Sequence, residues 1–229
     1  MLIGGLQRFS LIDYPGKVSA VIFTMGCNFR CPYCHNPELV EFNGIRLIEE
    51  GYILSFLKER KGKLDGVVLT GGEPTLQSDI VSFLKEIKKL GFLIKLDTNG
   101  SYPEIIEELL KEGLLDYIAM DIKANLEKYS GVTRSNVDTK NIERSIGIIM
   151  KSGIDYEFRT TVVRSQLSRD DILEIGELIK SAKAYVLQEF KPSKTLDPNF
   201  IEETSYTREE LEEIAVILKG LVGRVVIRD

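Results

Sequence analysis

The chain has 229 residues, 43% of them hydrophobic, and a formal net charge of −5. A chain of this size can bury a substantial core, so it does not need disulfides as staples. The acidic balance gives no general attraction to nucleic acid or to anionic lipid. No apolar run approaches the roughly 20 residues of a membrane span, and the N-terminus lacks the pattern of a signal peptide. We therefore expect a soluble cytoplasmic protein that binds neither nucleic acid nor a membrane.

Short β-rich runs alternate with amphipathic helical patterns along most of the chain. The stretch up to Gly16 is assigned no strand, since Asp13-Tyr-Pro-Gly16 indicates a turn ahead of the first strand. Helix-period apolar spacing is clear at 80–87 and 172–179. In chain order, the sequence predicts strands at 18–23, 66–70, 93–97, 117–122, 157–163 and 185–190. The predicted helices lie between these strands, at 48–60, 78–90, 102–112, 140–151 and 169–181.

Six βα repeats predict an α/β fold with a parallel sheet, because parallel strands need crossover connections. Six strands are too few for a closed eight-stranded barrel, so the expected architecture is an open partial (β/α)6 half-barrel. We predict a single domain over 1–229 with a core at about 17–190. The remainder, 191–229, is expected to form a C-terminal extension with a helix at 208–218 and a last strand at 224–227.

Polar segments follow the predicted strands where ligands bind in open α/β sheets, at the carboxyl ends. Cys27–Cys34 follows the first strand and Gly71-Gly72-Glu73-Pro74 the second. Asp97-Thr98-Asn99-Gly100 ends the third, Asp121-Ile-Lys123 ends the fourth, and Arg159 lies within the fifth. Five such features at one edge of a sheet predict a binding site there.

All three cysteines of the chain lie within eight residues, and its only histidine, His35, follows the last of them. Thiolates this close repel one another unless a metal or cluster neutralises them. Three thiolates can hold three irons of a [4Fe–4S] cluster and leave the fourth iron open. The alternative is a structural zinc ion held by the cysteines and His35. Zinc sites favour two separated ligand pairs, however, and adjacent Cys34 and His35 fit one tetrahedral ion poorly.

The Cys-x3-Cys-x2-Cys spacing, with Tyr33 before the last cysteine and Gly-Gly-Glu-Pro at 71–74, resembles the signature of radical S-adenosylmethionine (radical SAM) enzymes. Within that group, Cys34-His35-Asn36 and the stretches 12–16 and 26–37 resemble the glycyl-radical-enzyme activases. The likeness is greatest to activating proteins of anaerobic ribonucleoside-triphosphate reductase, with pyruvate formate-lyase activating enzyme a near relative. It extends from about Leu6 to Phe190 and is densest before residue 100.

This resemblance implies an oxidoreductase with a [4Fe–4S] cluster and S-adenosylmethionine as cofactors. Cys27, Cys31 and Cys34 would ligate three irons, and the methionine amino and carboxylate groups would chelate the fourth. An electron from a reduced flavodoxin or ferredoxin would cleave S-adenosylmethionine to a 5′-deoxyadenosyl radical. That radical would take a hydrogen from a glycine of a partner glycyl-radical enzyme. Anaerobic ribonucleotide reductase is the favoured partner, and pyruvate formate-lyase is the alternative.

Further residues receive roles from the resemblance and from their chemistry. Side-chain-free glycines would let the backbone approach the methionine moiety, a carboxylate would pair with its ammonium, and an aromatic ring would contact adenine. The predicted cofactor-binding set is Tyr33, His35, Gly71, Gly72, Glu73, Pro74, Thr98, Asn99, Asp121, Lys123 and Arg159. Asp97 and Asp121 resemble carboxylates that bind a monovalent cation beside the cofactor. Relatives carry a histidine on the last strand near adenine, where this chain has Leu187-Gln188-Glu189-Phe190.

Plainer interpretations remain open for several of these residues. The 71–74 segment and the 97–100 segment could be ordinary turns. Asp121 with Lys123, or Arg159 with Glu157, could form ion pairs without contacting a cofactor. Two other functions also remain open: a radical SAM enzyme acting on a small molecule, in the manner of 7-carboxy-7-deazaguanine synthase, and a non-catalytic zinc-binding module.

Overall fold

In the computed structural model, which describes residues 1–42 and 44–229, eight strands form one open sheet in chain order. Pairing is antiparallel between the first two strands and parallel in four further pairs along the sheet. The α/β class and the mostly parallel open sheet are thereby confirmed. The strands are β1 (Ile3–Ser10), β2 (Ser19–Thr24), β3 (Gly66–Gly71), β4 (Leu93–Thr98), β5 (Tyr117–Asp121), β6 (Asp155–Val162), β7 (Tyr185–Glu189) and β8 (Val225–Arg228).

The helices occupy the segments between the strands. They are α1 (Pro37–Glu41), α2 (Glu50–Glu59), α3 (Ile80–Lys89), α4 (Pro103–Lys111), α5 (Tyr129–Thr133), α6 (Thr139–Met150), α7 (Arg169–Leu178) and α8 (Arg208–Leu218). Every predicted helix and strand is present, with bounds within three residues of those expected. Two short 3₁₀ turns, Pro74–Leu76 and Pro198–Glu202, complete the regular structure described.

The sequence did not predict β1, which pairs with β2 so that Leu6 lies opposite Ile22. Gly4 and Gly5 interrupt its apolar pattern and weaken its strand propensity. The structure gives a reason for Gly4, because a Cβ there would lie 2.3 Å from the Met25 sulfur. The short helices α1 and α5 were also missed, since five residues do not complete two helical turns and show no readable period.

The chain divides into two units. The first unit comprises Met1–Asn28, Glu38–Thr98 and Glu104–Ile118, and the second comprises Phe29–Pro37, Asn99–Pro103 and Ala119–Asp229. Strands β1 to β4 belong to the first unit, and β6 to β8 belong to the second. The single domain expected from the sequence stays a prediction.

In the first unit, α3 packs its apolar stripe into the core, and Ile80, Phe83, Leu84 and Ile87 are all buried as their spacing predicts. Strands β2 and β3 are aligned so that Thr24 lies opposite Gly71. Both strands therefore end at the same level. The segment after β2, which carries Cys27, and the segment after β3, Gly72–Pro74, thus begin side by side.

In the second unit, β6, β7 and β8 form a parallel ladder, with Phe158 opposite Tyr185 and Tyr185 opposite Val225. Helices α7 and α8 each begin with a capping box, formed by Ser168 with Asp171 and by Thr207 with Glu210. These reciprocal bonds satisfy helix N–H groups that would otherwise lack partners. Among the described residues, no helix is long and apolar enough to cross a membrane.

Candidate functional site

The residues of the predicted site are divided between the two units. Cys27, Gly71–Pro74, Asp97 and Thr98 lie in the first, whereas Cys31, Tyr33, Cys34, His35, Asn99, Asp121, Lys123 and Arg159 lie in the second. All three cysteines lie in the described part of the chain and are thiols rather than disulfides. Cys31 is buried, and Cys27 and Cys34 are half-buried.

In the first unit, the Gly71–Pro74 segment lies against the backbone that leads to Cys27. The Gly72 N–H donates to the Thr24 carbonyl at 2.9 Å, and the Glu73 N–H donates to the Gly26 carbonyl at 2.7 Å. A Cβ on Gly72 would lie 1.9 Å from the Gly26 oxygen, and one on Gly71 would lie 2.2 Å from the Thr24 nitrogen. Both glycines are therefore required by this close backbone approach, whether or not a cofactor is bound.

Glu73 is a buried carboxylate, 1% exposed, whose orientation is fixed within the first unit. Its Oε1 accepts hydrogen bonds from the Thr75 N–H at 3.1 Å, from the Thr75 hydroxyl, and from the Thr98 hydroxyl at 2.7 Å. Charge-assisted bonds of this kind are shorter and stronger than neutral ones. Thr98, one of the predicted cofactor-binding residues, here positions Glu73.

Asp97 forms an ion pair with the buried Lys95 amine of the same strand, β4. Lys95 also lies over the Tyr117 ring, with its Nζ 5.9 Å from the centroid. A carboxylate that already compensates a buried cation gains less from a further cation. This ion pair therefore disfavours Asp97 as a cation ligand, and the cation site stays a prediction.

In the second unit, two segments hold the loop Phe29–Pro37, here called the cysteine loop. On one side, the Arg30 N–H donates to the Thr133 carbonyl at 2.9 Å and to the Ser135 hydroxyl at 3.0 Å. On the other, the Leu196 N–H donates to the Cys34 carbonyl at 3.0 Å, and the Asp197 N–H donates to the Pro32 carbonyl at 2.9 Å. Backbone bonds on both sides thus fix the loop that carries Cys31 and Cys34.

His35 contacts the segment after β7. Its ring stacks on Phe190 with centroids 5.5 Å apart, and its Nδ1 lies 2.9 Å from the Ser193 hydroxyl and 3.3 Å from the Lys194 carbonyl. Arg134 and Asp197 link the two holding segments through an ion pair of 2.7 Å. His35, predicted to lie near the cofactor, therefore anchors the cysteine loop to residues 190–194.

Asp121, Lys123 and Arg159 form one charged cluster at the ends of β5 and within β6. Lys123 Nζ lies 2.9 Å from Asp121 Oδ2, and Arg159 Nε lies 2.7 Å from Asp121 Oδ1. Burial alone raises the pKa of Asp121, but Arg159 and Lys123 together lower it below its usual value. Glu157 pairs instead with Arg228 on β8, with both contacts at 3.2 Å. Two cations beside Asp121 leave the cluster with a net positive charge and disfavour a further cation there.

Lys123 also lies close to an aromatic ring, with its Nζ 6.0 Å from the Tyr33 ring centroid. Although burial lowers the pKa of Lys123, Asp121 raises it well above its usual value, so the amine is charged. Burial raises the pKa of the Cys31 thiol, and Lys123 partly offsets that rise. The Tyr129 hydroxyl lies 3.3 Å from the Lys123 backbone N–H, which fixes the turn after β5.

The sequence profile of the radical SAM superfamily matches residues 21–179. The chain belongs to the radical SAM superfamily. Among curated relatives, a Methanocaldococcus jannaschii protein provisionally named a glycyl-radical enzyme activating enzyme is 38% identical, covering 99% of this chain and 95% of the relative. A pyruvate formate-lyase-activating enzyme from Clostridium pasteurianum is 28% identical, covering 86% of this chain and 84% of the relative. The family resemblance seen in the cysteine and glycine motifs is thus confirmed.

Solved structures agree with this radical SAM assignment at the level of the fold. Streptococcus suis SuiB, determined with S-adenosylmethionine bound, superimposes with a TM-score of 0.68 at 16% sequence identity. The match covers 91% of this chain but 50% of SuiB, so this protein spans half the length of that neighbour. At this identity, the similarity concerns the fold alone.

Radical SAM proteins use a [4Fe–4S] cluster and S-adenosylmethionine, and the described residues suit both groups. The donor set includes three thiols, which can hold three of the four irons of such a cluster. The Tyr33 hydroxyl is buried and has no hydrogen-bond partner among residues 1–42 and 44–229, which leaves a polar atom for a ligand to satisfy.

Sequence reasoning missed several residues that position the predicted ones. The Asn99 side-chain oxygen accepts hydrogen bonds from the Ser101 N–H at 3.0 Å and from the Ser101 hydroxyl at 2.6 Å. These two bonds stabilise the turn after β4. The pattern Asn-x-Ser could have indicated this Asx turn. Thr75 could have been found in the same way, as the partner of an N-cap carboxylate two residues earlier. The holding segments at 133–135 and 193–197 are hard to recognise in the sequence, because the bonds of Thr133, Leu196 and Asp197 to the cysteine loop use only backbone atoms. Ser135 and Ser193 add hydroxyl contacts.

Proposed function

We propose that this radical SAM protein activates a glycyl-radical enzyme by removing a hydrogen atom from one of its glycines. The observation that carries the proposal is the similarity to an activating enzyme over nearly the whole length of both chains. The tripeptide Cys34-His35-Asn36, which resembles the activases, supports it.

Cys27, Cys31 and Cys34 would hold the cluster, and the predicted cofactor-binding residues would hold S-adenosylmethionine. When bound, the two cofactors supply one-electron cleavage of the sulfonium and removal of a hydrogen atom from the substrate. The work left to the protein is to orient the cofactors and to exclude water. The cysteine loop suits this work, since backbone hydrogen bonds on both sides fix the segment with Cys31 and Cys34.

Glu73 would bind the ammonium group of the methionine moiety. Thr75 and Thr98 hold its carboxylate by donating to Oε1, so the charge is positioned before the ligand arrives. Preorganisation of this kind reduces the entropy lost on binding. Gly71 and Gly72 contribute indirectly, because they let the segment with Glu73 approach the backbone next to Cys27.

Lys123 and Arg159 would bind the methionine carboxylate. Asp121 holds both cations through contacts of 2.9 and 2.7 Å and balances one of their two charges. The surplus positive charge favours an anionic group at this position. Tyr33, whose hydroxyl is buried without a partner among the described residues, would contact the adenine moiety.

The partner enzyme is proposed to be an anaerobic ribonucleoside-triphosphate reductase, on the likeness of the sequence around the first strand. Pyruvate formate-lyase is the second candidate, supported by the relative from Clostridium pasteurianum. A reduced flavodoxin or ferredoxin would supply the electron. The two candidates differ in the protein surface that must present a glycine, so they can be separated directly by experiment.

The test is to mix the reduced, cluster-loaded protein and S-adenosylmethionine with each candidate enzyme under anaerobic conditions. A glycyl doublet in the electron paramagnetic resonance spectrum of one mixture is the expected result. The matched control replaces the reactive glycine of that enzyme with alanine, which should abolish the doublet. Release of 5′-deoxyadenosine without a doublet from any partner would contradict the proposal and favour a small-molecule substrate.

A further inference from the structure

Three segments of the second unit meet at the cysteine loop, and they share one chemical property. The segments are the cysteine loop itself, residues 128–135 and residues 190–197, which are joined by the backbone bonds and the Arg134–Asp197 pair described above. Their side chains include five cations and one carboxylate. The cations are Arg30, Lys128, Arg134, Lys191 and Lys194, and the carboxylate is Asp197.

These cations are accessible to solvent. Arg30, Lys191 and Lys194 are exposed, and the side chains of Arg134 and Lys128 retain 51% and 50% of their accessible surface. Lys128 is paired with Asp171 at 2.6 Å and Arg134 with Asp197 at 2.7 Å, and Glu127 and Glu189 flank the segments in sequence. The positive charge at this surface therefore comes mainly from Arg30, Lys191 and Lys194. This charge is notable because the whole chain carries a net charge of −5. We call the surface formed by Arg30, Arg134, Lys191 and Lys194 the basic rim.

We propose that the basic rim is the docking surface for an acidic one-electron carrier protein. The inference rests on the proposed function, since radical SAM chemistry consumes an electron that another protein must deliver. Charge complementarity selects the partner, because a positive patch attracts a protein of high negative charge. In the transfer, the carrier is oxidised by one electron and the cluster is reduced by one, with no atom exchanged.

The position of the rim suits electron delivery as well as attraction. Lys194 lies next to Ser193, whose hydroxyl is 2.9 Å from the ring of His35, and His35 directly follows Cys34. His35 is exposed and Cys34 is half-buried, so the cysteine loop reaches the surface at this point. Electron transfer slows steeply with distance, and a carrier bound to the rim would approach the loop that bears two of the three cysteines.

The experiment compares two charge-reversal variants of the cluster-loaded protein. One is Lys191→Glu with Lys194→Glu, on the rim, and the matched control is Lys61→Glu with Lys63→Glu, two exposed lysines of the first unit. Both variants change the net charge equally. The probe is an acidic flavodoxin, whose binding is measured by calorimetry and whose electron delivery is followed in a stopped-flow instrument as bleaching of the cluster absorbance.

The rim variant should bind flavodoxin more weakly and lower the second-order rate constant about tenfold at low ionic strength, a typical size for lost electrostatic steering. The difference should shrink at about 1 M salt, where the screening length is near 3 Å. The control variant should behave as the native protein. Equal binding and equal rates for both variants would overturn the proposal.

Reduction by dithionite separates this proposal from the proposed function. Dithionite is small and needs no docking surface, so both variants should reduce and cleave S-adenosylmethionine at native rates with it. If the rim variant responds normally to flavodoxin but fails to bind the glycyl-radical enzyme, the rim receives the protein substrate and the carrier assignment is wrong. If the native protein fails to cleave S-adenosylmethionine when dithionite supplies the electron, that result would instead count against the proposed function.

Discussion

The two units hold their parts of the predicted site by different means. In the first, the Gly71–Pro74 segment is held by backbone approach, and a Cβ on Gly72 would come within 1.9 Å of the Gly26 oxygen. In the second, the cluster of Asp121, Lys123 and Arg159 is held by charge, with contacts of 2.7 to 2.9 Å. The first arrangement depends on shape and has no titratable group at the contact. The second depends on the ionisation of one carboxylate.

This difference determines which substitutions each part tolerates. Added volume should disrupt the first arrangement, because close-packed backbone has no room to yield. A change of charge at constant shape should disrupt the second, because it leaves buried cations without compensation. Substitutions in each unit can therefore test the contrast between shape and charge.

Gly72→Ala should have the largest effect. The new methyl group would overlap the Gly26 carbonyl, and overpacking of this severity costs about 3 kcal/mol of unfolding free energy. Because Gly26 precedes Cys27, the variant should also retain less iron. Both quantities can be measured under anaerobic conditions, by denaturant unfolding followed by circular dichroism and by iron analysis.

The control for this variant is Gly147→Ala in α6. No atom of the described residues lies within 4 Å of the position of its Cβ, so alanine should stabilise the helix by about 0.5–1 kcal/mol. If Gly72→Ala matched this control in stability and iron content, the account of the first unit as held by backbone approach would be wrong.

Asp121→Asn should have the second largest effect. The amide keeps the shape of the side chain but leaves Lys123 and Arg159 uncompensated, and we expect a loss of about 2 kcal/mol, reduced from the fully buried case by partial exposure. Because the pKa of Asp121 in the folded protein is below its usual value, its stabilisation is present above about pH 4, the unfolded value. It is lost as the pH falls through the folded pKa. The difference in unfolding free energy between the variant and the native protein should therefore become smaller as the pH falls.

Asp155→Asn provides the matched control for Asp121→Asn. Asp155 pairs with Lys183 at 3.3 Å, but its side chain is 80% exposed, and such pairs contribute about 0.5 kcal/mol or less. Unfolding curves of both variants between pH 7 and pH 3 provide the comparison. The charge-based explanation would be wrong if Asp121→Asn lost no more unfolding free energy than Asp155→Asn. It would also be wrong if the loss did not change with pH.

Asp171→Asn at the start of α7 should have the smallest effect. Burial raises the pKa of Asp171, but hydrogen bonds from Lys128 and Ser168 lower it below its usual value. Asparagine keeps a capping oxygen and loses the charge, so we expect a loss of about 1 kcal/mol near neutral pH. The sign of the pH dependence is the same as for Asp121, since stabilisation disappears as the carboxylate is protonated. The exposed neighbour variant Asp170→Asn should cost about 0.3 kcal/mol, the size of a helix-dipole effect.

The sequence predicts the parallel strands and long helices well because their apolar periods are strong. The stripe Ile80, Phe83, Leu84, Ile87 is an example, and all four residues are buried. Strand β1 was missed because Gly4 and Gly5 obscure its pattern. Gly4 is required because a Cβ there would clash with the Met25 side chain. Sequence spacing does not reveal this contact.

For the site, the residue types were predictable and many of their structural partners were not. Cys27, Cys31 and Cys34 are recognisable from spacing alone, and Glu73 from its glycine context. The pairing of Arg159 with Asp121 rather than Glu157 depends on which strands lie side by side. Thr133, Leu196 and Asp197 hold the cysteine loop through backbone atoms alone, and a side-chain pattern cannot predict such bonds.

We propose that this radical SAM protein takes a hydrogen atom directly from a glycine of a partner enzyme. The most direct measurement uses a partner enzyme labelled with glycine deuterated at the α-carbon and mass spectrometry of the 5′-deoxyadenosine released. We expect deuterium to appear in 5′-deoxyadenosine together with the glycyl radical. Formation of the radical with only protium in that product would contradict this proposal.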